Sequence, residues 1–236
     1  MTSEGASDTE GFVESKGVRY AYAYDKGGKL GRYFGVQGIP DAVLIDADGV
    51  VLWQGHPAAL EESLLEKATV GALRHPLWEW PDSARAARSA LQKRDFRTAL
   101  EQARKLTPAS DGIDIAEEVQ LMVTARVAAM KGARERGDFL GAQELAATLA
   151  KELKGLPEAE EAVRVTAEIA ADKEAQTVIK GQQKVAKLRA KNLGKKKERI
   201  AAMEELGKLK REFAGTYVVA EADALIRRIA ALASDD

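Results

Sequence analysis

A single break in residue chemistry divides this 236-residue chain and limits what it can fold into. Nine of its thirteen aromatic residues (Phe12, Tyr20, Tyr22, Tyr24, Tyr33, Phe34, Trp53, Trp78 and Trp80) precede Pro81, as do both histidines. Beyond that point Ala, Leu, Glu, Lys and Arg dominate. The break falls at His75-Pro-Leu-Trp-Glu-Trp-Pro81, so residues 1–75 are expected as one domain, 76–81 as a Pro/Trp-rich connector and 82–236 as a second, helical domain. Charge divides there too. Residues 1–81 carry 7 basic and 12 acidic side chains, against 29 and 25 in the remainder.

Several chemistries are excluded at once. The chain has no cysteine, so disulfides, thiolate catalysis and cysteine zinc sites are impossible. Two histidines, His56 and His75, are too few for a His-rich metal centre, and no cofactor or metal site is expected. A net charge of −1 gives no overall pull toward nucleic acid or anionic membrane. No apolar run approaches the roughly 18 residues of a membrane span, and Met1 to Glu10 lacks a signal-peptide layout; the compartment stays unknown.

In the first region, Tyr and Ala alternate from Tyr20 to Asp25, the pattern of a strand with one aromatic face. Lys29 to Phe34 reads as a short helical turn. Ala42-Val-Leu-Ile-Asp46 and Val50-Val-Leu-Trp53 are β-prone runs on either side of Asp48-Gly49, which predicts an antiparallel hairpin. A helix over Pro57 to Val70 is expected to pack Leu60, Leu64, Leu65 and Ala68 against it.

The second region reads as helix almost throughout. Leu91, Phe96, Ala99, Leu100, Ala103 and Leu106 form one apolar stripe, Val119 to Met130 a second, and Phe139 to Leu153 a third. Gly155 and Pro157 mark one helix junction, and Gly215-Thr216 another. Arg94-Asp-Phe-Arg-Thr-Ala99 and Gly137-Asp-Phe-Leu-Gly-Ala142 share Asp-Phe-x-x-Ala, which resembles the signature of tetratricopeptide-type helical hairpins. Either a helical bundle or an irregular helical repeat fits.

Tyr33-Phe-Gly-Val-Gln-Gly-Ile-Pro-Asp-Ala-Val-Leu-Ile-Asp-Ala-Asp-Gly49, continued by Val50-Val-Leu-Trp-Gln-Gly-His-Pro57, resembles the C-terminal half of a thioredoxin-like domain of the redoxin and TlpA-type thiol-disulfide oxidoreductases. The likeness covers about residues 10–70. It implies an incomplete α/β thioredoxin-like domain whose hairpin is entered by a cis-proline, with Ile39 and Pro40 holding an extended peptide. The physics is independent of the family: an X-Pro bond reaches the cis form for only ~0.5–1 kcal/mol and then turns the preceding residue's amide and carbonyl outward. A rigid loop-to-strand turn without binding fits the same residues.

The departure from that family matters more. Its first strand and its Cys-x-x-Cys helix have no counterpart here, and no other side chain replaces a thiolate in dithiol exchange. Ala42 to Asp46 is therefore expected to present an apolar, association-prone edge. Three explanations stay open: a start placed downstream of the true one or a fragment, which is preferred, or a strand supplied by another segment or by a partner. For these residues alone the expectation is a non-redox peptide- or protein-interaction module on a helical scaffold. The alternative is an active oxidoreductase whose cysteine-bearing half lies upstream of Met1.

The other features read as structural. Lys184 to Arg211 holds eleven basic residues with no interleaved aromatic, which suits solvated helix faces and not nucleic acid. Trp53, Trp78 and Trp80 are expected to bury a seam between sheet and helices. Asp46 and Asp48 read as turn capping, not as metal ligands.

Overall fold

The computed structural model describes residues 5–17, 23–36, 38–47, 49–106, 114–191, 193 and 195–234. The chain divides into two compact units, Met1–Ala72 and Leu73–Asp236.

The first unit contains α1 (Ala6–Lys16), α2 (Lys29–Phe34), β1 (Ala42–Ile45), β2 (Val51–Gly55), a 3-10 turn (Pro57–Ala59) and α3 (Glu62–Thr69). β1 and β2 pair antiparallel, with Ala42 opposite Gly55 and Leu44 opposite Trp53; an irregularity after Leu44 brings Ile45 opposite Val51. α3 packs on both strands. That helix starts later than its apolar pattern suggested. Leu60 and Glu61 are extended, with ψ of 119° and 142°, and Leu65 is 43% exposed instead of packed. Of the strand expected at Tyr20 to Asp25, Tyr20 and Tyr22 lie outside the described residues, and Tyr24 forms an isolated bridge.

Very little is buried in this unit. Among its described residues Ala68 is the only apolar side chain in the buried class, while Phe12, Tyr33, Ile39, Ile45, Val50, Val51 and Val70 are exposed. One buried methyl contributes about 0.8 kcal/mol, whereas ordering each residue costs about 1–2 kcal/mol.

The second unit is helical: α4 (Arg85–Gln92), α5 (Phe96–Ala103), α6 (Ile115–Glu135), α7 (Phe139–Glu152), α8 (Glu158–Ala171), α9 (Lys173–Arg189), α10 (Lys196–Glu212) and α11 (Tyr217–Ser234). The stripe from Leu91 to Leu106 is not one helix. At Arg94 the backbone turns left-handed (φ 59°), and the Asp95 carboxylate accepts the Thr98 N–H at 3.0 Å, starting α5 anew. Gly137 (φ 82°) and Asp138, which accepts the Gly141 N–H at 3.0 Å, repeat the device before α7. The shared Asp-Phe-x-x-Ala is thus the corner of two helical hairpins, and Ala99 and Ala142 are both fully buried. Gly215 (φ 79°) followed by Thr216-Tyr217 makes a third such corner, where Ala220 faces solvent and Val218, Ala222, Leu225 and Ile229 turn inward instead.

Within the hairpins α4 packs on α5, α6 on α7 and α10 on α11, while α6–α8, α7–α9 and α9–α11 contacts join alternate helices. Two apolar cores result. The first gathers Trp80, Phe96, Leu100, Met130, Leu149 and Ile169, and the second Val185, Leu206, Leu209, Phe213 and Leu225. α9 belongs to both, giving Ala175 and Ile179 to the first and Val178, Val185 and Leu188 to the second. Gln182 on α9 is wholly buried, with both ends of its amide used: Oε1 accepts the Leu140 N–H at 2.9 Å and Nε2 donates to Asp138 Oδ1 at 2.9 Å.

Residues on both sides of the expected 75/76 boundary pack into this unit. Glu118 of α6 accepts the Arg74 N–H and meets His75 Nδ1, each at 2.8 Å, and the Trp80 indole donates to the His75 carbonyl at 3.1 Å. Trp80 and Trp78 differ in burial: Trp80 is 3% exposed in the helical core, whereas Trp78 is 69% exposed. Nor is every residue of the basic run solvated, because Arg199 is buried and donates to the Leu193 carbonyl at 3.4 Å.

Candidate peptide-binding edge

The expected binding residues, Ile39 and Pro40, stand between α2 and β1. Asp25 builds the approach. Its carboxylate caps α2, accepting the Gly31 N–H at 2.9 Å and the Leu30 N–H at 3.0 Å, and these bonds hold it below its ordinary pKa of 3.8. Gly35, left-handed at φ 69°, ends the helix and returns its N–H to the Arg32 carbonyl at 3.2 Å. The Ile39–Pro40 bond is cis, and Ile39 is 95% exposed.

A side-chain staple fixes this turn to the sheet. The Gln54 amide on β2 donates to the Phe34 carbonyl at 2.8 Å and to Asp41 Oδ2 at 3.2 Å, while Asp41 Oδ1 accepts the Ala42 N–H at 2.9 Å. Sequence reasoning missed Gln54, because its partners lie twenty and thirteen residues away. At the far end of β1, Asp46 Oδ1 accepts the Val50 N–H at 2.9 Å, and the Gly49 N–H bonds the Asp46 carbonyl at 3.0 Å. Asp46 is thus a turn-capping residue; Asp48 lies outside the described residues.

The ladder sets which groups are available. The Asp46 N–H points to β2, bonding the Val50 carbonyl at 2.9 Å, so the two-residue alternation turns the amides and carbonyls of Val43 and Ile45 toward the opposite edge. Among the described residues no third strand joins the sheet there. Chemically, this is a short row of main-chain donors and acceptors beside apolar side chains, bounded by two carboxylates. It can pair an extended chain.

Neither histidine lies at this edge. His56 Nδ1 accepts the Ala58 N–H at 3.2 Å, capping the 3-10 turn, and His75 is held by Glu118, an acidic partner 43 residues away. Among the described residues no three His, Asp or Glu side chains gather as a metal site would need, and no helix is long and apolar enough to cross a membrane. Comparison with family models, curated proteins and solved structures finds no match to this chain.

Proposed function

We propose that the chain is a thioredoxin-like, redoxin/TlpA-type protein that works without redox chemistry, binding an extended peptide or protein segment at the Ile39–Pro40 turn and the open edge of β1. The helical unit serves as its scaffold, in an irregular repeat of hairpins. The observation that carries this reading is the outer edge of β1, which keeps the main chain of Val43 and Ile45 unpaired among the described residues next to the almost fully exposed Ile39. Edges of this kind recruit extended chains through main-chain hydrogen bonds. The absence of cysteine leaves no group for dithiol exchange.

Val43→Pro tests it. That proline removes only an N–H directed away from β2, a change that edge strands accommodate. In an anisotropy titration of the full chain with a labelled, β-prone hexapeptide, the variant should bind at least about tenfold more weakly. Equal binding by both proteins would sink the reading.

A second reading is favoured by the near-absence of a core in the first unit, where Ala68 is buried alone. In it the hairpin is the back half of a thiol-disulfide oxidoreductase whose cysteine-bearing half is encoded ahead of Met1. Translation of the upstream DNA decides: an in-frame strand and Trp-Cys-x-x-Cys segment supports it, and a stop codon with a ribosome site beside Met1 removes it.

A further inference from the structure

The edge of β1 is apolar along its length and acidic at both ends. Ala42, Val43, Leu44 and Ile45 carry no charge, Asp41 precedes them and Asp46 follows. Both carboxylates are fixed in place, Asp41 by the Ala42 N–H and the Gln54 amide and Asp46 by the Val50 N–H. The surroundings have the same sign: residues 1–72 hold eleven acidic and six basic side chains. Five positions separate the two aspartates, so they stand on opposite faces of the strand.

This charge pattern selects the occupant. A second copy of the chain is disfavoured, because pairing β1 with itself through Val43 and Ile45 brings two strands with acidic ends and no basic residue, on two units of net negative charge, side by side. Such a pair gathers like charge with nothing to offset it. A segment with four uncharged, β-prone residues between two basic ones suits both ends at once. Since both ends of the edge are acidic, either strand direction satisfies it.

Resting on the peptide-binding reading above, we infer that the partner is an extended segment of the form basic, four β-prone residues, basic, which adds to the sheet as a third strand beside β1. Its main chain pairs with Val43 and Ile45, and its terminal Lys or Arg residues meet Asp41 and Asp46. The main-chain bonds hold the segment, while the aspartates choose which segment is held.

The test uses the full chain and three labelled hexapeptides with alternating valine and threonine at the centre. One is flanked by lysines, one by glutamates, and one is lysine-flanked with N-methylated valines. The lysine-flanked peptide should bind about tenfold tighter than the glutamate-flanked one. An Asp41→Asn/Asp46→Asn variant, which keeps acceptors for the same backbone amides, should shrink that ratio to about twofold, and added salt should shrink it as well. Equal affinity for the two flanked peptides, or a preference unchanged in the Asn variant, overturns the inference while leaving edge binding intact. If the N-methylated peptide binds as well as its parent, edge binding itself fails; if no peptide binds, both fall. Sedimentation velocity covers the remaining occupant: a dimer that Val43→Pro abolishes would identify a second copy and overturn the basic-flanked partner.

Discussion

Glu221 shows how one side chain can set a pH dependence. It lies half-buried on α11, close to Asp138 at the cap of α7, to Glu144 of α7 and to Gln182 and Arg189 of α9. Burial, reinforced by the negative charges of Asp138 and Glu144, raises its pKa above the ordinary 4.5; the Gln182 hydrogen bond and Arg189 oppose the shift. The fold therefore favours the protonated form. That contribution is fully present below the unfolded value of 4.5 and is lost as pH rises through the higher folded value. Glu221→Gln should accordingly be modestly more stable than the parent at neutral pH, the size limited by solvent screening of a half-buried group. Urea midpoints at neutral pH and below pH 4.5 check this, since the gap should close in acid. A gap of the same size at both would exclude Glu221 as its source.

At the scale of elements, α9 passes α10 and α11 closely at Gly181. A methyl group added at Gly181 would sit 2.9 Å from the Phe213 ring and 2.9 Å from Val218 Cγ2, closer than carbon atoms approach. Gly181→Ala should therefore cost about 1–3 kcal/mol and lower the melting temperature, although alanine is the better helix former on an isolated helix. An unchanged melt would mean that α10 and α11 shift freely. Residue type announced some junctions and concealed others. Gly155, Pro157 and Gly215 mark helix ends in the sequence, as the Asp-Gly turn marks the hairpin, because glycine and proline carry their backbone geometry with them. The corner at Arg94 was hidden, since a left-handed arginine carries no such mark, and Leu91 and Phe96 merged into one stripe across it. The staple at Gln54 and the clasp of Glu118 on His75 were equally illegible, because each joins residues far apart in sequence through contacts that only the folded chain creates.

Across the whole molecule, burial is divided unequally. The helical unit holds both cores, whereas the first unit encloses only Ala68 among its described apolar residues. Residues 73–236 expressed alone should keep their helical circular dichroism and melt cooperatively, while residues 1–72 alone should show no cooperative transition. A sharp melt of the short piece would contradict the poverty of its interior. The shared position of α9 has a further consequence, for truncation. Shortening the chain from its C-terminus does not peel off helices one by one at equal penalty: once α11 and α10 are gone, the stripe of Val178, Val185 and Leu188 is left bare on a helix that the remaining core still holds in place. Such a product would stay folded yet sticky, so its defect would register as aggregation and chaperone capture before any loss of helix.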